Sequence, residues 1–438
     1  MSRNNWLSSI TTLFALFALG PLTKTLIAQE KPAPVKPFVA NYDEAKIPAY
    51  TLPPILNVKA DSAVGAQAAW EARRAELLKI FTNEMFGSHP SSPYELECKE
   101  IESGPAFNGQ ALRQQFAVTV KTSSGSQRID LLVYLPKNAT VPAPCFIGLN
   151  FRGNHTVNAD PKILIPESWA PKDDEAKVVD NKSTEAGRGT SSRRWECEML
   201  VENGCAVATA YCGDIDPDFD DQFQNGVHAL FPEHRPSADH PERWGTIAAW
   251  SWGLSRLLDC IEQKVKAIDP HRVAVIGHSR LGKTSLWAGA VDQRFAAVIS
   301  NNSGCGGAAI SRREFGETVW RINNSFPHWF CGNFKKYSNN EANLPIDQHQ
   351  LLALAAPRPL YVASASEDLW ADPKGEFLAA QSAGELYKQL GGQPLGLRDF
   401  PVPNTASVGQ VSYHLREGKH DVLAWDWKNY IEFIKQVK

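Results

Sequence analysis

Short apolar runs rich in β-branched residues stand at Ile129 to Tyr134, Cys145 to Leu149, Ala206 to Ala210, Val273 to Ile276, Ala296 to Ser300 and Leu360 to Ala363. Continuous runs of this length predict strands buried on both faces. Between the later runs the period becomes helical. Thr246 to Val265 is amphipathic and leads into Asp269-Pro270, Thr284 to Ala290 follows a glycine turn, Phe377 to Leu390 ends at Gly391-Gly392, and Val422 to Val437 is the last such stretch. Strand and helix in alternation predict an α/β fold with a mostly parallel central sheet flanked by helices on both faces, three layers in all. No internal repeat is present. From about residue 160 to 194 the sequence is polar, charged and weakly periodic. That pattern predicts an insertion above the sheet, within a single domain over 29–438, rather than a separate domain.

Ahead of this body, Arg3 precedes an apolar run from Trp6 to Leu19 and small or polar residues through Ala28, which reads as a signal peptide over 1–28. The apolar core is shorter than the ~20 residues a membrane span needs. The mature protein is therefore expected to be secreted or periplasmic and to have no membrane span, with a retained anchor as the competing reading. With 45 Lys and Arg against 48 Asp and Glu, interspersed, there is no electrostatic case for nucleic acid or an anionic membrane. Thirteen tryptophans supply faces that can stack on sugar rings, although tryptophan is also ordinary core material. The eight cysteines form no C-x-x-C pair and the eleven histidines no H-E-x-x-H. No metal or organic cofactor is expected, and disulfide pairing stays open. A monomer is expected.

The segment from Val273 through Gly277-His278-Ser279-Arg280-Leu281-Gly282-Lys283-Thr284 joins a strand, a glycine-flanked turn carrying one serine, and a helix start. This is the layout of a nucleophile elbow, which lifts the serine hydroxyl above the sheet edge with helical N–H groups behind it. Gly277-x-x-x-x-Gly282-Lys283-Thr284 also fits a nucleotide-binding P-loop. An exported chain meets little ATP, and the convenient acidic strand, Val422 to Asp426, sits close to the end of the sequence, so the P-loop is the weaker of the two readings.

A nucleophilic Ser279 needs an acid and then a histidine, in that chain order in α/β-hydrolases. Asp368 follows the run 360–363, just past a strand's carboxyl end, where such sheets place their sites. His420, in Gly418-Lys419-His420-Asp421, supplies the base. Glu367 and His414 compete with them, and each choice has a plainer alternative: a helix N-cap for Asp368 and a surface histidine for His420. His278 is expected to shape the elbow, because neighbours in an extended chain point to opposite faces.

Leu281 stands where G-x-S-x-G has its second glycine, so the motif is Gly277-x-Ser279-Arg280-x-Gly282-Lys283. Further stations are Gly148 to His155, Gly213 to Asp218, Ser303 to Ala308, Glu367 to Pro373 and Gly418 to Asp421. With these, the chain resembles the glucuronoyl esterases of carbohydrate esterase family 15, its bacterial members especially, from about residue 70 onward. The resemblance implies an α/β-hydrolase fold and hydrolysis of esters between 4-O-methyl-glucuronic acid of glucuronoxylan and lignin alcohols. It implies Ser279 as nucleophile, His420 as base, Arg280 as a holder of the oxyanion, and Lys283, Glu317 and Trp370 as sugar contacts. The four-residue spacing puts Lys283 on the serine's side of the helix. The plainer alternatives, with the resemblance set aside, are a capped helix for Lys283, a packed rim aromatic for Trp370 and a solvated helix charge for Glu317.

Where many members carry a Glu before a Ser-Gly pair as the triad acid, this chain has Asn302, in Ser300-Asn301-Asn302-Ser303-Gly304. An amide cannot balance an imidazolium, and in the serine-protease template that exchange costs about 10⁴ in turnover. Asp368 is therefore expected to carry the role. The alternatives are a secreted α/β-hydrolase acting on another carbohydrate or small carboxylic ester, and a degenerate, non-catalytic carbohydrate-binding homologue.

Overall fold

Residues along a strand alternate between the faces of a sheet, and here that alternation feeds two cores. Val273, Val275, Val298, Leu360 and Val362 join one core, whereas Ala274, Ile276, Ala297, Ile299, Tyr361 and Ala363 join the other. Being apolar on both faces, these runs are buried in the middle of the molecule. The computed structural model describes residues 38–57 and 62–437. The signal peptide expected at 1–28 lies outside them.

The strands are β1 Glu95–Ala106, β2 Ala111–Thr122, β3 Gly125–Pro136, β4 Ala143–Asn150, β5 Ala206–Tyr211, β6 Ile268–His278, β7 Ala297–Asn301, β8 Leu360–Ala365, β9 Thr405–Ser407 and β10 Val411–Arg416. They form one sheet in the order β1-β2-β3-β5-β4-β6-β7-β8-β10-β9. From β5 to β10 across that order all neighbours are parallel. An antiparallel meander, β1 to β3, borders one side and β9 the other. The architecture is the expected mostly parallel sheet, enlarged by β1 and β2, which the apolar pattern does not mark.

Helices Ala63–Phe81, Thr246–Lys264, Arg280–Val291 and Pro373–Gln389 supply side chains to the first core, and helices Cys197–Glu202 and Ala424–Ile434 to the second. Thr246–Lys264 turns Trp250, Leu254, Leu257, Leu258 and Ile261 inward, the helical spacing that its sequence announces. Cys98 of β1 and Cys260 of this helix form a disulfide, and the other six cysteines are free and buried. Residues 160–194 contain only short 3-10 turns and irregular backbone, and Ser168, Trp169 and Arg194 of this stretch contact Asp214, Tyr211 and Trp427. Among the described residues no helix is long and apolar enough to cross a membrane.

Candidate active site

β6 ends at His278, and the chain turns into helix Arg280–Val291 through Ser279, at φ 57° and ψ −129°. A non-glycine residue held at positive φ costs on the order of 1–3 kcal/mol. The turn is secured by the Ser279 N–H, which donates to the Asn301 carbonyl at 2.9 Å, and by the Gly282 N–H, which donates to the Ser279 carbonyl at 2.8 Å. A Cβ on Gly277 would stand 1.9 Å from the Leu281 carbonyl oxygen, so only glycine lets strand and helix approach this closely. His278 is buried, with Nδ1 2.7 Å from Asn301 Oδ1. Burial first, then the neighbouring His420, holds its pKa well below the usual histidine value. Its ring packs against that of His420 with centroids 4.4 Å apart, which brings His420 to the elbow.

His420 Nδ1 lies 2.6 Å from Asp368 Oδ2. Asp368 is buried in the turn after β8, whereas Glu367 is exposed. His414 is not in a loop. It lies in β10, fully buried, with Nε2 2.8 Å from Asp426 and Nδ1 3.0 Å from the Tyr361 hydroxyl. Asn302 occupies a left-handed turn after β7, φ 47°, a conformation that asparagine tolerates better than most residues. Its Nδ2 donates to Asp368 Oδ2 at 2.8 Å. In place of an acid, position 302 thus offers a hydrogen-bond donor to an acid. Close by, buried Glu376 accepts hydrogen bonds from Ser364 Oγ at 2.6 Å and the Gly304 N–H at 2.9 Å; burial pushes its pKa up to about 8.

On the other flank of the elbow, Arg280 pairs through Nε with Asp218 at 2.6 Å and lies over the Phe151 ring at 4.5 Å. Asp218 also accepts from the Trp329 indole at 2.7 Å and sits 3.0 Å from His328 Nε2. Burial alone would raise the Asp218 pKa, but Arg280 and these two partners outweigh it and hold it below the ordinary value. Lys283 is buried and donates to the Ser303 carbonyl at 2.6 Å, with Glu317 4.0 Å away and the Trp329 ring beneath it at 5.8 Å. Glu317 is buried, and burial raises its pKa against the charge of Lys283 and a hydrogen bond from the Trp370 side chain. Trp370 is 37% exposed. The fold therefore joins His420 to Asp368 and packs it beside the elbow of Ser279, and it joins Glu317 to Lys283 and to partly exposed Trp370.

The segment that a P-loop would use as its acidic strand, Val422 to Asp426, is instead the entry into helix Ala424–Ile434, and Asp426 is taken up by His414 and Arg416. Among the described residues no three His, Cys, Asp or Glu side chains come together so as to hold a metal ion.

A family model for fungal glucuronyl esterase matches residues 203–391. A protein described as carbohydrate esterase MZ0003, from an unknown prokaryotic organism, is 47% identical over 413 residues, 94% of this chain and 95% of that one. A solved structure of a family 15 esterase from a marine bacterial metagenome, described as promiscuous, is 48% identical with TM-score 0.84, covering 91% of this chain and 100% of that one. The chain belongs to carbohydrate esterase family 15. A solved structure of a glucuronoyl esterase from Solibacter usitatus is a further neighbour at 42% identity and TM-score 0.81, covering 89% of this chain and 99% of that one. In this family 15 chain the contacts that sequence reading misses are Asp218 on Arg280, Trp329 between Arg280 and Lys283, and Asn302 on Asp368. Asp218 falls inside a motif that the sequence does mark, Gly213 to Asp218, but nothing in the motif says which cation it meets.

Proposed function

We propose that this chain is a serine carboxylic ester hydrolase that cleaves esters between (4-O-methyl-)glucuronic acid of glucuronoxylan and lignin alcohols. The observation that carries the reading is His420, held at Nδ1 by buried Asp368 and packed beside the elbow of Ser279. With Nδ1 occupied, the other ring nitrogen is the one that takes the proton of Ser279. The serine oxygen attacks the uronate ester carbonyl, and the oxyanion meets Arg280 and the unpaired N–H groups at the start of helix Arg280–Val291. The alcohol leaves with the proton from His420. Water then repeats the cycle and frees the uronic acid.

Asp218 fixes the guanidinium of Arg280, so this donor is set before substrate arrives. Lys283, Glu317 and Trp370 offer a cation, a carboxyl and an aromatic face to the sugar. They support strict dependence on the uronosyl part and tolerance of different alcohols. The apolar leader at 1–28 supports export to where the polymer lies.

The test compares hydrolysis of benzyl glucuronate and a simple acetyl ester by the wild type, Ser279→Ala and Asp368→Asn. Uronate-selective turnover, lost in Ser279→Ala and strongly reduced in Asp368→Asn, is expected. Preference for the acetyl ester would move the substrate class elsewhere, and turnover by Ser279→Ala would remove the nucleophile.

A further inference from the structure

His420 sits in a short turn, residues 417–421, that guanidinium groups grip from two directions. Buried Arg416 reaches along the turn. Its Nη1 donates to the Glu417 carbonyl at 2.9 Å and its Nη2 to the carbonyls of Lys419 at 2.8 Å and Asp421 at 3.0 Å, while Nε is fixed on Asp426 at 2.9 Å. The second grip comes from the irregular stretch 160–194. Asp421, next to the histidine, has its carboxylate bound by Arg194 Nε at 2.7 Å and by Arg193, and it accepts the Val422 N–H at 3.0 Å. Those arginines are themselves anchored: the Trp427 indole donates to the Arg194 carbonyl at 2.9 Å, and Arg193 shares Glu175 with Arg152, which follows β4.

We propose that Asp421 is a positioning residue for the reaction, through which Arg193 and Arg194 set the turn and so the His420 ring between Asp368 and Ser279. This rests on His420 being the base. Arg416 holds carbonyls on either side of the histidine, and ahead of it Gly418 is tied to the turn after β8, its N–H donating to Ser366 Oγ at 3.2 Å and its carbonyl accepting the Glu367 N–H at 2.9 Å. The Asp421 carboxylate, held by Arg193 and Arg194, supplies the side-chain anchor directly after the histidine. An error of about 1 Å in a catalytic group can cost on the order of 10²-fold in rate. A partly exposed ion pair, by contrast, adds little to stability; Arg193 and Asp421 have side-chain exposures of 50% and 16%. The arrangement therefore matters far more to turnover than to folding.

The experiment measures kcat, KM and melting temperature for the wild type, Asp421→Asn, Arg194→Gln and the double variant. Asp421→Asn is expected to lower kcat about ten- to a hundredfold with KM within about twofold. Arg194→Gln should lower it less. The double variant should be no worse than Asp421→Asn alone, because both changes act through one contact. A kcat for Asp421→Asn within twofold of wild type, a matching rise in KM, or singles that multiply in the double would overturn the proposal. Should Asp421→Asn fail to fold, Arg194→Gln decides on the same ratio of kcat to KM effects. Benzyl glucuronate is the first substrate; a wild type that prefers an acetyl ester refutes the substrate reading, and the same ratios on that ester still decide the role of Asp421. A wild type inert on both refutes both.

Discussion

His414 and His420 each lie beside an aspartate at nearly the same distance, 2.8 Å for Asp426 and 2.6 Å for Asp368. Their surroundings differ in two ways. His414 has both ring nitrogens engaged, the second by Tyr361, and its side chain is 0% exposed. Burial lowers its pKa against the pull of Asp426. His420 has its side chain 38% exposed and packs at the elbow, while Asp368 behind it is covered. A histidine with both nitrogens spoken for can only brace a strand. One that is held at a single nitrogen, with the other turned to a reactant, can move a proton.

The largest break in this comparison is expected from Asp368→Asn, which should lower kcat about 10⁴-fold by analogy with the protease triad while leaving the melting temperature nearly unchanged. Steady-state kinetics beside thermal unfolding checks it. Next, Lys283→Met removes a charged donor proposed to meet the sugar and should raise KM about ten- to a hundredfold, with a smaller effect on kcat. Saturation curves on benzyl glucuronate separate the two parameters. Tyr361→Phe touches only the inert pair. It should cost about 1–3 kcal/mol of stability, read by urea unfolding, and leave kcat as it is. The smallest effect is expected from Glu376→Gln. Because burial raises the Glu376 pKa to about 8 from an ordinary 4.5, the folded chain keeps a proton that the unfolded chain releases. Stability therefore falls as pH rises from about 4.5 towards 8, and the glutamine variant should flatten that part of a melting-temperature profile.

The interior strands are legible in the sequence because burial on both faces demands unbroken apolar runs. β1 is not: Leu96 and Cys98 start an alternation that a bulge between Glu100 and Glu102 resets, and Gly104-Pro105 hides the rest. β10 is not marked in the sequence because Ser412, His414 and Arg416 are polar, and only the fold reveals that all three are buried and partnered. At the site, the order of serine, acid and histidine and the glycine turn are written locally. Whether Asn302 opposes or assists the acid is not, since it meets Asp368 across 66 residues of chain. The same holds for Asp218 and Arg280, whose side chains meet only after β5 and β6 have taken their places in the sheet.

The bridge between Cys98 and Cys260 encloses a loop of 162 residues. Asp218 and the whole of 160–194 lie within this ring, and Ser279, Asp368 and His420 lie outside it. Loop-closure entropy credits a ring of that size with about 5 kcal/mol. Material produced in a reducing cytosol and material produced in an oxidising compartment would then be two preparations of one sequence with different shelf lives, and a comparison between laboratories is meaningful only when the thiol state of the sample has been recorded.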